Sequence, residues 1–157
     1  LMNESPADYR GFLVYDVLYL IYMIYFLVYI STACNPTDIG MLSSVINQVA
    51  QKNKDQGISG FLYYKDGTYL QLLEGDFKMV NTLFHKIIED DRHTNVTVIV
   101  ENKIEHRVFN DYESGFLVPK DKKQYQKLND YLSYLKLLEN DEINNTISIL
   151  ESIISKM

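Results

Sequence analysis

The tightest constraint on this chain lies in four residues. Lys65-Asp66-Gly67-Thr68 separates two apolar runs, Ile58 to Tyr64 and Tyr69 to Glu74. An Asp-Gly pair in that setting is the strongest short-range signal for a β-hairpin, because the favoured two-residue turn needs positive φ at both central positions. Two strands are therefore paired antiparallel, and the rest of the chain is read outward from them.

Upstream, Tyr25-Phe-Leu-Val-Tyr-Ile-Ser31 is short, β-branched and aromatic, and it stops before Asn35-Pro36, which predicts a first strand. Thr37 is a fitting N-cap for a first helix whose inner face is Ile39, Leu42, Ile46 and Val49. That helix runs out in the polar stretch Gln51 to Gln56 and stops at Gly57. Downstream, Gly75-Asp76 opens a second helix with Phe77, Val80, Phe84 and Ile87 or Ile88 toward the core, ending in the charged run Glu89 to His93. Val96 to Val100 predicts a fourth strand, and Ile104 to Val108 with Gly115 to Val118 a fifth in pieces. The order β-α-β-β-α-β is the split motif of a ferredoxin-like α+β sandwich. Right-handed crossovers place both helices on one face and the third strand between the first and second. Strands 1 and 3 are then neighbours.

After Pro119 and the lysines of 120–123, two helices follow, striped by Leu128, Leu132, Leu135 and Leu138 and by Ile143, Ile147, Leu150 and Ile154, with Asn140-Asp141 as the joint. They are expected to cover the free face of the sheet or to pair with another copy. The organisation read from the chain is an extension over 1–24, an α+β unit over 25–118 and a helical pair over 119–157.

Composition excludes several classes. With 157 residues, 46% hydrophobic and 23% charged, the chain has the make-up of one globular domain with a real core. A net charge of −6 speaks against nucleic acid, whose binding needs a basic surface. A lone cysteine, Cys34, excludes an internal disulfide and fits a reducing, cytoplasmic setting. His85, His93 and His106 are scattered, so no metal site is expected. Phe12 to Ile30 is long enough for a membrane span, yet its second half is needed as strand 1. Residues 1–22 are read first as an upstream read-through ahead of Met23, then as a soluble helix, and last as a membrane anchor. No membrane partner is expected.

Three polar residues stand out by position. Gln71 lies mid-strand between Leu70 and Leu72, and a buried amide left without hydrogen-bond partners costs on the order of 1–3 kcal/mol. Tyr29, on the neighbouring strand, can present its hydroxyl to the same face, and Asn53 can overhang it from the end of the first helix. A phenol and two carboxamides converging between helices make a polar-edged slot for a flat heterocycle. Taken singly, the same residues read as a backbone-bonded core glutamine, a helix cap and an ordinary strand tyrosine.

The successive segments Phe26-Leu-Val-Tyr-Ile-Ser31, Asn53 with Gly57-Ile-Ser-Gly60, Tyr69-Leu-Gln-Leu-Leu-Glu-Gly75 and Asp90-Asp-Arg-His93 resemble the signatures of the BLUF photoreceptor family. The resemblance covers about ninety residues, with its glycines in the loop into strand 2 and the turn out of strand 3. It implies a flavin bound without a covalent link between the two helices, FAD by preference and FMN or riboflavin otherwise. It implies that Tyr29 is the photochemical donor, that Gln71 bridges tyrosine and flavin, and that Asn53 bonds the flavin carbonyl and imide. Lys52 would approach the pyrimidine side and Ile87 would pack on the ring. Asp90, Arg92 and His93 would lie toward the ribityl and phosphate end. It also implies a receptor without a substrate, hence no enzyme, that signals to a downstream protein and is a candidate homo-oligomer. After Phe109 the family places Trp-Ser-Met, where this chain reads Tyr112-Glu113-Ser114, so Tyr112 is the candidate for the aromatic position. The alternatives are a flavin-dependent redox enzyme and a ferredoxin-like interaction module without cofactor.

Overall fold

A computed structural model describes residues 23–34, 48–109, 116–117, 121–138 and 140–157. Five strands, β1 Ile24–Ala33, β2 Ser59–Lys65, β3 Thr68–Gly75, β4 His93–Ile104 and β5 Phe116–Leu117, form one sheet. The helices are α1 (48–55 among the described residues), α2 Phe77–Ile88, α3 Lys122–Leu138 and α4 Asp141–Lys156. The strand order is β4-β1-β3-β2-β5, which puts β1 and β3 side by side and antiparallel, as the split motif requires. The fold is ferredoxin-like α+β.

The hairpin forms where the sequence demanded it. Asp66 and Gly67 have φ of 49° and 81°, the pair of positive values that a type I′ turn needs, and Lys65 faces Thr68 across it. Gly60 lies within β2, as the run Ile58 to Tyr64 implies. Its φ is 141°, and a Cβ there would sit 2.0 Å from the carbonyl oxygen of Leu72. Only glycine allows β2 to approach β3 that closely.

Strand alternation gives the sheet two unlike faces. Phe26 and Val28 of β1, Phe61 and Tyr63 of β2 and Leu70 and Leu72 of β3 point to one side, where they share a core with Leu128, Leu132 and Leu135 of α3 and Ile143, Ile147, Leu150 and Ile154 of α4. The two terminal helices thus cover this face. Asn140 caps α4 by accepting from the amides of Glu142 and Ile143, both at 3.1 Å, which makes the joint a helix start. Tyr25, Leu27 and Tyr29, with Leu62, Tyr69 and Leu73, point to the other side, where Val80 is buried and Ala50, Leu83, Phe84 and Ile87 pack partly. Both α1 and α2 lie on that face.

Several expectations are corrected. β4 runs well beyond Val96 to Val100, because it pairs with nearly the whole length of β1, and pairing carries its polar ends into the ladder. His93 therefore begins a strand and does not end a helix. Ile104 closes β4, and residues 105–109 are not a strand, since the amides of Val108 and Phe109 bond to the Glu74 carboxylate. Phe77, expected in the core, is 53% exposed. It is the first residue of α2 after the N-cap Asp76 and packs edge-on to Tyr25, with ring centroids 4.9 Å apart. Of Ile87 and Ile88, the first packs inward and the second is exposed. From Ile24 onward the long apolar run is strand, and no helix among the described residues is long and apolar enough to cross a membrane. Ile24, assigned to the N-terminal extension, opens β1, while residues 1–22, Thr37, Ile39, Leu42, Ile46 and Tyr112-Glu113-Ser114 lie outside the described residues.

Candidate functional site

Tyr29 and Gln71 are direct cross-strand partners on β1 and β3. Odd positions on both strands point toward α1 and α2, so the hairpin that sets the β3 register also aims the amide at the phenol. The Tyr29 hydroxyl donates to Gln71 Oε1, and both side chains are buried. The phenol's pKa is raised, first because burial penalises the phenolate and then because Tyr69 and Asp90 lie nearby. Tyr29 is thus held in its protonated, donating form. Phe84 of α2 packs over it, with ring centroids 5.3 Å apart.

Asn53 lies near the end of α1 and is buried, 1% exposed. Its backbone carbonyl accepts from Ile58 N at 2.8 Å, which ties the helix end to the start of β2. Its side-chain Nδ2, by contrast, is buried without a hydrogen-bond partner. A buried amide donor of this kind costs on the order of 1–3 kcal/mol unless something accepts from it. What it lacks is an acceptor such as a carbonyl oxygen. Lys52, the preceding residue, is exposed.

A second polar group closes the far end of the same face. Arg92 bonds Asp90 through Nε, at 2.8 and 3.0 Å to the two carboxylate oxygens, and through its terminal nitrogen, while its backbone amide also donates to Asp90. These bonds hold the Asp90 carboxyl at a pKa of about 2. His93 Nδ1 lies 2.9 Å from Ser31 Oγ, and its ring packs on Tyr69 with centroids 4.7 Å apart. Burial pushes the imidazole pKa down, the Asp90 charge opposes that shift, and Arg92 adds to it.

The structure therefore brings Tyr29 to Gln71, Asp90 to Arg92 and His93 to Ser31 and Tyr69. Ile87 packs on the same cluster as Tyr29. Sequence reasoning missed the cover that Phe84 gives Tyr29, and it also missed a buried polar group under the opposite face. Glu74, fully buried, accepts from Ser59 Oγ at 2.7 Å, Val108 N at 2.9 Å and Phe109 N at 2.7 Å. The signal was available: a carboxylate inside Leu72-Leu73-Glu74-Gly75 must find donors.

Comparison with known proteins agrees with this architecture. The solved structure of BlrP1 from Klebsiella pneumoniae superposes with a TM-score of 0.69 over 85% of this chain and 34% of its own, at 22% identity, a likeness of fold. The structure titled BlsA ground state superposes with a TM-score of 0.60 at 25% identity, over 84% of this chain and 88% of its own. Photoactivated adenylate cyclase subunit beta of Euglena gracilis is 35% identical over 83 residues, 53% of this chain and 10% of that relative. The chain thus spans about a tenth of the length of the curated relatives it matches. Residues 24–115, more than half of the chain and all of the site described above, match the family described as sensors of blue light using FAD, and the chain belongs to that family, BLUF.

Proposed function

We propose that this protein is a blue-light receptor that holds FAD over the Tyr29–Gln71 face, between α1 and α2, and that light rearranges the hydrogen bonds of that pair. The observation that carries the reading is the buried Tyr29–Gln71 hydrogen bond on a face where Asn53 Nδ2 is a buried donor lacking an acceptor. The residues present fit a flavin. The Asn53 amide would donate to a ring carbonyl, Gln71 would face the ring edge, and Ile87 would pack on the plane. Lys52 would reach the pyrimidine side from the exposed flank of α1. Asp90, Arg92 and His93 would stand toward the ribityl and phosphate end, where a guanidinium suits an anionic tail.

Bound flavin, once excited by blue light, supplies a strong oxidant. With a flavin bound, Tyr29 would be the residue placed to yield an electron and to pass its proton along the existing bond to Gln71. Return of both electron and proton to Tyr29 would leave Gln71 rotated or tautomerised, offering a different donor and acceptor pattern, with no net chemistry.

The long relatives carry the name of a light-activated cyclase, and the matched segment is a small part of them. By that analogy residues 25–118 sense light, the helical pair 119–157 reports it, and a separate signalling protein receives it.

The purified 157-residue chain tests the reading. It should be yellow with FAD and show a reversible red shift under blue light, and Gln71→Leu should keep the flavin and lose the shift. A normal shift in Gln71→Leu would sink the assigned role. Lasting flavin reduction with an added electron donor would favour a redox enzyme, and a colourless protein that ignores FAD an interaction module.

A further inference from the structure

Gln71 and Glu74 are three residues apart on β3 and point to opposite faces of the sheet. Gln71 meets Tyr29 on the α1–α2 side. Glu74 lies beneath, toward α3, and its carboxylate receives Ser59 Oγ and the amides of Val108 and Phe109. Ser59 is its cross-strand neighbour on β2. Arg107 completes the group: it donates to Ser59 Oγ at 2.8 Å, to the carbonyl of Glu74 at 2.9 Å and to the carbonyl of Gly57. Gly57 follows α1, whose Asn53 is bonded to Ile58. Two routes from the candidate site therefore meet here, one along β3 from Gln71 and one through the end of α1 from Asn53.

The group also has an exit. Phe109 packs against Phe61 and against Tyr131 of α3, with ring centroids 5.2 and 5.5 Å apart, and the Tyr131 hydroxyl donates to the carbonyl of Val108 at 2.6 Å. Three donors converge on two carboxylate oxygens, so an amide cannot replace the acid without turning a donor toward a donor. Burial raises the acid's pKa, while its hydrogen bonds and Arg107 pull the other way.

We propose that Glu74 is a positioning residue that passes the light-driven change at Gln71 through the sheet to residues 107–109 and from there, through Tyr131, to α3. This rests on the receptor reading above. In the dark state the carboxylate fastens residues 107–109 to the end of β3. A shift of β3 at Gln71 loosens that fastening and with it the seat of Tyr131.

The test is hydrogen–deuterium exchange on the full FAD-loaded chain, dark against blue light, read at the amides of Val108 and Phe109 and along α3. In the wild type, illumination should raise exchange at both places. In Glu74→Gln the red shift should persist, while the light-minus-dark difference at both places falls about fivefold, the factor one lost hydrogen bond is worth. Tyr131→Phe keeps the ring and loses the hydroxyl, so residues 108–109 should still respond while α3 responds less. A red-shifting wild type with no exchange difference at these amides overturns the proposal, as does Glu74→Gln with the full difference. Should Glu74→Gln not fold, an undiminished α3 response in Tyr131→Phe overturns it just as well. A wild type with no red shift would instead fail the receptor reading, and this inference with it.

Discussion

The two faces of the sheet are built on different principles. Under α3 and α4 the contacts are leucine and isoleucine on phenylalanine, valine and leucine, with Leu128 and Leu132 wholly buried. Under α1 and α2 the strands present three buried tyrosines, a glutamine and a serine, and of the apolar residues of α2 only Val80 is fully buried. The first face gains its stability from area removed from water. The second gives up part of that gain to keep polar groups buried and, at Asn53, unpartnered. The candidate site thus lies on the polar side of the five-stranded sheet, while the apolar side carries the larger core, with the buried Glu74 group at its edge.

That division is open to direct attack. On the apolar face, Leu132→Ala should cost about 2–5 kcal/mol, the usual range for a buried leucine whose neighbours cannot close the gap. A urea midpoint close to wild type would break the comparison at once. On the polar face the sign should reverse. Asn53→Leu removes an unpaired buried donor, so the flavin-free protein should gain roughly 1–3 kcal/mol while FAD binding weakens. Thermal melts with and without FAD separate the two effects, and a destabilised flavin-free variant would show that Asn53 holds the fold together.

Tyr29→Phe keeps the ring against Phe84 and deletes the hydroxyl, so the stability change should be only about 1 kcal/mol. The light response should vanish, and a stable red-shifted state in this variant would remove Tyr29 from its role. Time-resolved absorption on Tyr29→Phe, alone and with Tyr112→Phe, shows whether Tyr112 donates in its place. The smallest effect belongs to Asp90. Its folded pKa of about 2 lies below the ordinary carboxylate value of about 3.9, so its contribution is present above the unfolded pKa and is lost as pH falls through about 2. Arg92 is largely exposed, and solvent screening keeps the contribution small. Acid titration of stability should be steeper below pH 4 in the wild type than in Asp90→Asn.

The central sheet and the Tyr29–Gln71 pair were legible in the sequence for one reason. Asp66-Gly67 fixes the register of β3, the split motif places β1 beside it, and the period of two then decides which side chains meet. The extent of β4 was not legible, because it follows from pairing with β1 and not from its own apolar pattern. Phe77 was misread because helical periodicity carries no information about where the sheet beneath a helix ends. Glu74 was visible as a carboxylate in an apolar run, but its partners are backbone amides 34 and 35 residues away, and only the folded chain supplies them.

Gly60 has a mechanical consequence. The β2 backbone presses on the Leu72 carbonyl, next along β3 from Gln71, with no side chain to act as a cushion. A strand clamped there has little compliance across its width. On the role proposed for Glu74, displacement entering at residue 71 would travel lengthwise, toward the hairpin at one end and the carboxylate of Glu74 at the other.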